Sequence, residues 1–353
     1  YASASTAGAA YIFHKSGRTC TQQANLVSSD SATNDYFGHR VDIEGDYAIV
    51  GAYNKNSNTG AAYIFKRSGT SWTQQSKLTA SNAGSADEYG RAVGISGDYA
   101  FVGARREDTG GTDRGSVYIY VRSGTTWTQQ AQIQASDAQD SDSFGWALSV
   151  DGDYAIVGAY LEDTGGSNAG SAYIFYKSGT TWSQQAQIQA SDRQAEDRFG
   201  VAVSISGDYI VVGASGEDAG GADAGSAYVF VRSGTTWSQQ AILRASDAQA
   251  SDNYAGYDPA VSISGNRVVV GAFGEDAGGS NAGAAYIFER SGTVWTEVKK
   301  ITASDAQASD LFGQTVAIDG TTVLVGAREE DTKATAAGAA YVYEKTPIAE
   351  LTF

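Results

Sequence analysis

The chain has 353 residues and a formal net charge of −16, with 40 Asp and Glu against 24 Lys and Arg. That balance disfavours nucleic acid and anionic membrane surfaces as partners, because phosphate binding needs clustered Lys and Arg. A single cysteine, Cys20, rules out an internal disulfide and a thiolate metal site, and no run of about 18 apolar residues offers a membrane span.

In chain order, the first block is Gly8–Phe13, and it returns at Gly60–Phe65, Gly115–Tyr120, Gly170–Phe175, Gly225–Phe230, Gly283–Phe288 and Gly338–Tyr343. Each of the first six is followed by a Ser-Gly turn, and then by Trp72, Trp127, Trp182, Trp237 or Trp295; the first copy has Cys20 in that place. A Phe/Tyr-Gly pair comes next, at Phe37, Tyr89, Phe144, Phe199 and Phe312, with Tyr254-Ala-Gly256 as a variant. The period is about 55 residues, and self-similarity on that scale marks a repeat architecture. With no Met at position 1, Tyr1 is expected to follow a removed segment or to begin a fragment.

One copy, Phe144 to Ser191, reads as four strands. Gly145–Val150 alternates apolar and small residues, and Asp151-Gly-Asp153 is a tight turn. Tyr154–Ala159 is a continuous apolar run, as a strand buried on both faces requires. A Gly-rich polar loop leads to Ser171–Tyr176, a hairpin turn follows, and Trp182–Ala190 closes the unit. On simple alternation Trp182, Ala186, Ile188 and Ala190 share one face of that last strand.

Four short antiparallel strands repeated along a chain predict an all-β fold, a β-propeller. First strands number six, which predicts six blades; a seventh, built by the termini, is the alternative. The chain opens on strands three and four and closes on strands one, two and three, so the terminal strands are expected to meet in one blade. Residues 1–345 form one propeller on this reading, with 346–353 as a tail.

Phe-Gly opening a strand, Val-Gly-Ala about 13 residues later and then Gly-[Ala/Ser]-Ala-Tyr together resemble the FG-GAP repeat of integrin α-subunits and bacterial surface proteins. The resemblance implies an extracellular propeller used for recognition or adhesion. Two features depart from the family pattern. The Pro that ends the motif is replaced by Tyr53, Arg105, Tyr160, Ser215, Phe273 and Arg328. The family's calcium loop between strands one and two is reduced to turns such as Asp151-Gly-Asp153, too short to wrap an ion that takes 6–8 oxygens.

Strand direction sends two sets of loops to one face, and both are acidic. One set holds Asp137, Asp142, Asp192 and Asp197; the other holds Glu162-Asp163 and Glu217-Asp218. These eight are the candidate ligands for Ca²⁺ or another hard cation, against a simpler role as solvated, turn-capping charge. The opposite rim carries the Lys or Arg of each Ser-Gly hairpin. Tyr53, Arg105, Tyr160, Ser215, Phe273 and Arg328 vary while their neighbours do not, and aromatic and Arg side chains are what recognition surfaces use. They are the candidate ligand-binding residues. Only His14 and His39 are present, so neither a nucleophile–His pair nor a His-based metal site is evident, and no catalytic residues are assigned. The expected function is a non-catalytic extracellular or cell-surface module for adhesion or surface assembly, binding protein or glycan through its loop face. A calcium-dependent lectin and a carboxylate-based polysaccharide hydrolase or lyase are the alternatives.

Overall fold

A computed structural model describes residues 7–17, 19–256, 259–331 and 337–345. The expected tail, 346–353, lies outside the described residues. They divide into two compact units, Tyr1–Val203 and Ser204–Phe353. Apart from one turn, α1 (Lys55–Asn58), whose Asn56 and Ser57 have left-handed φ of 52° and 60°, regular structure is all β.

The N-terminal hairpin, β1 (Ala10–Ser16) and β2 (Thr19–Leu26), is a two-stranded sheet. Five four-stranded antiparallel sheets follow. They are β3 (Val41–Glu44), β4 (Tyr47–Ala52), β5 (Ala61–Ser68), β6 (Ser71–Leu78); β7 (Ala92–Ser96), β8 (Tyr99–Ala104), β9 (Ser116–Ser123), β10 (Thr126–Ile133); and β11 (Ala147–Asp151), β12 (Tyr154–Ala159), β13 (Ser171–Ser178), β14 (Thr181–Ile188). Next come β15 (Phe199–Ser206), β16 (Tyr209–Ala214), β17 (Ser226–Ser233), β18 (Thr236–Leu243); and β19 (Val261–Ser264), β20 (Arg267–Ala272), β21 (Ala284–Ser291), β22 (Val294–Ile301). The last sheet has three strands, β23 (Phe312–Asp319), β24 (Thr322–Ala327) and β25 (Ala339–Glu344). The expectation that the terminal strands meet in one blade is corrected: among the described residues β1 and β2 pair only with each other, and β23 to β25 form a sheet of their own. Six first strands thus head six blades of a β-propeller, in the strand order that the repeat predicts.

The two glycine motifs are opposite sides of one contact. Gly145, at φ +89°, donates its N–H to the carbonyl of Gly158 at 3.1 Å, tying the Phe-Gly turn to the Val-Gly-Ala strand of its own repeat. A Cβ on Gly158 would lie 1.9 Å from the carbonyl oxygen of Gly200, the Phe-Gly glycine of the next repeat. Only glycine lets the backbones approach so closely. Phe144 and Phe199, beside these turns, are fully buried.

The core lies between successive sheets. In the first unit one layer joins Phe101, Val117, Ile119 and Ile133 of one blade to Phe144, Val157, Tyr173, Phe175 and Trp182 of the next. In the second unit Val269, Ile287 and Ile301 meet Phe312, Val323 and Val325 in the same way.

The fourth strand departs from simple alternation. Phe175 pairs with Gln184 but Ile174 pairs with Ala186, so Gln185 is a β-bulge, and equivalent bulges recur in β2, β6, β10, β18 and β22. The extra residue turns the strand over. Trp182, opposite Lys177, therefore faces the preceding blade, whereas Ile188, opposite Ala172, faces the other side. The expectation that Trp182, Ala186, Ile188 and Ala190 share one face is corrected by this bulge, which lets one strand serve two apolar layers.

Candidate recognition face

Each second strand ends on Val-Gly-Ala, and the next residue leaves the sheet at the start of the long loop. In the first unit this position builds a continuous row with residues flanking the Phe-Gly turns. The ring of Tyr53 stacks on Tyr36 at 5.5 Å and 5°, and His39 meets it edge-on at 4.7 Å. The guanidinium of Arg91 lies 6.0 Å from the Tyr53 ring and 4.0 Å from the Trp146 ring. Arg105 lies 4.9 Å from the same indole, and Tyr160 packs against it at 4.4 Å. Trp146 is fixed by its Nε1–H, which donates to the Val201 carbonyl at 3.1 Å. Glu88 orients Arg105 through a bidentate pair, Nε to Oε2 at 2.6 Å and Nη2 to Oε1 at 2.9 Å. Arg106 reaches the same carboxylate at 3.3 Å.

This cluster unites three of the six sequence candidates. Tyr53 and Arg105 are half-buried, and Tyr160, Trp146 and Arg91 are buried. The other three belong to the second unit and make different local contacts. Ser215 is buried, Phe273 is half-buried with its ring over Gly256, and the exposed Arg328 pairs with Glu329 at 3.0 Å. Sequence reasoning missed Tyr36, Glu88, Arg91 and Trp146. A signal was available: the residues just before and after each Phe-Gly pair also vary among copies.

Six of the eight acidic candidates, Asp142, Asp197, Asp163, Asp218, Glu162 and Glu217, accept backbone N–H groups of their own loops. Asp142 and Asp197, both buried, accept the N–H of Gln139 and Gln194 at 2.6 Å each. Asp163 and Asp218 accept the N–H five residues on, from Asn168 and Asp223, at 2.8 Å each. Glu162 is buried and accepts from Thr164 N–H at 2.8 Å and from the Ser171 hydroxyl at 2.7 Å. Glu217 accepts from Ser226 at 2.6 Å and pairs with Arg244 at 3.2 Å. Asp137 is exposed and receives the Tyr173 hydroxyl, and Asp192 is exposed. Among the described residues no three or more His, Cys, Asp or Glu are grouped so as to hold a metal ion.

The structure does bring Asp137, Asp142, Glu162 and Asp163 within electrostatic reach of one another. Burial first, and then these neighbours, push Asp142 up to about 6. A carboxyl raised in the folded state binds its proton more tightly than in the unfolded chain. Its contribution is full below the ordinary value near 3.8 and is lost as pH rises through about 6. Asp142→Asn keeps an oxygen for the Gln139 N–H and removes the charge. It is expected to stabilise the protein at pH 8 by about 1–2 kcal/mol, a gain that vanishes toward pH 4. Urea titrations at several pH values check this, and a pH-independent difference would refute the assignment.

The buried glutamate also explains a serine. Ser116, Ser171 and Ser226 each donate to the Oε2 of Glu107, Glu162 and Glu217. The fifth copy has Ala284 there, and Glu275 Oε2 is buried without a hydrogen-bond partner among the described residues. Ala284→Ser is expected to stabilise the chain by about 1 kcal/mol. A lowered urea midpoint would show that the hydroxyl does not fit.

On the opposite rim, carboxylates of neighbouring turns pair with hairpin cations. Arg67 pairs with Asp46 at 2.6 Å, Lys177 with Asp153 at 2.7 Å, and Arg122 and Arg232 with Asp98 and Asp208. Four of the six hairpin cations are thus paired with carboxylates. His14 and Cys20 lie exposed on β1 and β2. Among the described residues no helix is long and apolar enough to cross a membrane.

No curated protein matches the chain. The family model described as FG-GAP repeat matches six times, over residues 20–65, 72–120, 127–175, 182–230, 237–288 and 295–343. Each match begins at the Trp position, Cys20 in the first, and ends on the third strand that follows. The chain belongs to the FG-GAP repeat family.

Proposed function

We propose that this chain is a non-catalytic recognition module, extracellular or at a cell surface, that binds a protein or glycan through the aromatic and arginine cluster of its first unit. One observation carries this reading. Tyr53, Arg105 and Tyr160 differ at a position where the scaffold is otherwise repeated, yet they converge with the buried Arg91 and Trp146 in one packed cluster whose half-buried members are Tyr53 and Arg105. Half-exposed tyrosine rings offer flat apolar area with little rotamer entropy to lose. The Arg105 guanidinium, pre-set by Glu88, offers directed donors to hydroxyl, carbonyl or carboxylate oxygens. Both suit a sugar face or a protein loop.

The test is an array of glycans and extracellular-matrix proteins, probed with wild type and with Tyr53→Ala/Arg105→Ala, with calcium and with chelator. Binding by wild type that falls about tenfold or more in the double variant, at an unchanged melting temperature, is expected. Binding that both forms share, or silence from wild type on every spot, would count against the reading. Loss of the signal in chelator would favour the calcium-dependent lectin.

A further inference from the structure

Arg105 is followed by a second arginine, Arg106, and none of the other five Val-Gly-Ala motifs leads into such a pair. The corresponding residues are Tyr53-Asn54, Tyr160-Leu161, Ser215-Gly216, Phe273-Gly274 and Arg328-Glu329. Both guanidiniums turn to the one carboxylate of Glu88, so two cations share a single anion in a chain of net charge −16. The Glu88 side chain is 8% exposed, Arg105 15% and Arg106 43%. The anion is buried, and the excess positive charge lies on its most exposed partner.

The donors are divided unequally. Arg105 uses Nε and Nη2 on Glu88, and its Nη1 donates to no described residue. Arg106 meets Glu88 through Nε alone, 3.3 Å from Oε1, and its Nη groups donate to no described residue. The aromatic part of the cluster adjoins these donors. Arg105 lies 4.9 Å from the Trp146 ring, Arg91 bridges that ring to Tyr53, and Tyr36 stands parallel to Tyr53 at 5.5 Å. Burial pushes the Tyr53 hydroxyl above its ordinary range, and the charges of Arg91, Glu88 and Arg105 all reach it. Tyr36 and Tyr53 are both half-buried, so ring area remains for contact.

We infer that this cluster selects a sugar bearing one carboxylate, with the carboxylate on Arg105 and Arg106 and the pyranose ring against Tyr36 and Tyr53. The inference rests on the reading of the cluster as a recognition site and narrows its ligand to an acidic glycan. A guanidinium fork matches the two oxygens of a carboxylate, and the tyrosine pair offers flat apolar area to the C–H face of a ring. A cyclic sugar acid holds its carboxylate at a fixed distance from that face, so both contacts form with little entropy to lose. An acidic peptide side chain would satisfy the arginines but bring no ring to the tyrosines. The exposed Asp108 and Asp163, on the loops that start beside Arg105 and Tyr160, repel a polyanion and so disfavour heavily sulfated chains.

The test puts the full chain on an array of uronate- and sialate-terminated glycans, each beside its carboxyl-reduced counterpart, with sulfated and neutral glycans and matrix proteins alongside. Wild type is expected to bind a carboxylated glycan about tenfold or more tightly than its reduced form. Arg106→Ala, at an exposed side chain, should weaken that binding about tenfold at an unchanged melting temperature, and Arg106→Lys, which keeps the charge, should lose less. Equal affinity for a glycan and its carboxyl-reduced form, both lost in Tyr53→Ala/Arg105→Ala, overturns the inference and leaves the recognition reading standing. Carboxylate-selective binding that wild type shares with both Arg106→Ala and the double variant overturns the two together. A preference for sulfated spots, binding to matrix proteins alone, or silence on every carboxylated spot also overturns the inference.

Discussion

Lys55→Glu is expected to destabilise the protein by about 3–5 kcal/mol, although it installs the residue that the other five copies carry at that place. The Lys55 ammonium is buried, 2.8 Å from the buried Asp35 carboxylate and 3.6 Å from Asp30, and it donates to the Asp30 carbonyl. Asp35 also holds its loop by accepting the Ala32 N–H at 2.7 Å, so it cannot swing away to solvent cheaply. Removing one partner of a buried pair leaves an uncompensated charge, and putting a second carboxylate there adds repulsion. The serine that supports glutamate elsewhere is missing too, since Ala61 occupies the position of Ser116 and Ser171. Lys55→Glu/Ala61→Ser should therefore recover about 1 kcal/mol of the loss. Urea midpoints of the three proteins check this; a Lys55→Glu midpoint equal to wild type would show that the ion pair contributes nothing to stability.

The blade was legible in the sequence because each of its determinants is local. The apolar run Tyr154–Ala159, the Asp151-Gly-Asp153 turn and the Gly170–Phe175 block all form strands or turns where the pattern puts them. Boundaries shifted by a few residues: Gly145 precedes β11 because its positive φ makes a turn against Gly158 of its own repeat, β13 runs on to Ser178, and β14 spans Thr181–Ile188. The bulge at Gln185 was not legible, since the fourth strand alternates well enough without it and only the register against β13 reveals the extra residue. The site was half legible. Variation after Val-Gly-Ala pointed to Tyr53, Arg105 and Tyr160, but Arg91 and Trp146 come from other turns, and only the packing of successive blades brings them into the same cluster. The acidic loops show the converse limit. Composition alone suggested cation ligands, whereas Asp142, Asp163 and Glu162 accept N–H or O–H groups of their own loops and strands.

Trp182→Ala is expected to cost about 3–5 kcal/mol, the loss typical of a large ring removed from a packed layer. The side chain is 6% exposed, which is low for a residue on the outermost strand of its blade. The bulge at Gln185 aims it back at the preceding sheet, where it meets Phe101 edge-on at 4.9 Å and Tyr99 at 5.9 Å. Lys177, its cross-strand partner, lies 4.2 Å from the Tyr99 ring, so the ammonium covers the same aromatic pair from outside. The indole thus packs across two sheets whose backbone ladders pair only within each sheet, and an alanine would leave a void between them. Trp182→Phe keeps most of the apolar contact and should cost about 1–2 kcal/mol. Trp72, which is only half-buried at the equivalent place against the N-terminal hairpin, should lose less than Trp182 on truncation to Ala. The ordering of the three urea midpoints, with an unchanged m-value, decides the matter. If Trp182→Ala and Trp72→Ala shift the midpoint equally, burial between complete blades is not what makes the ring an anchor.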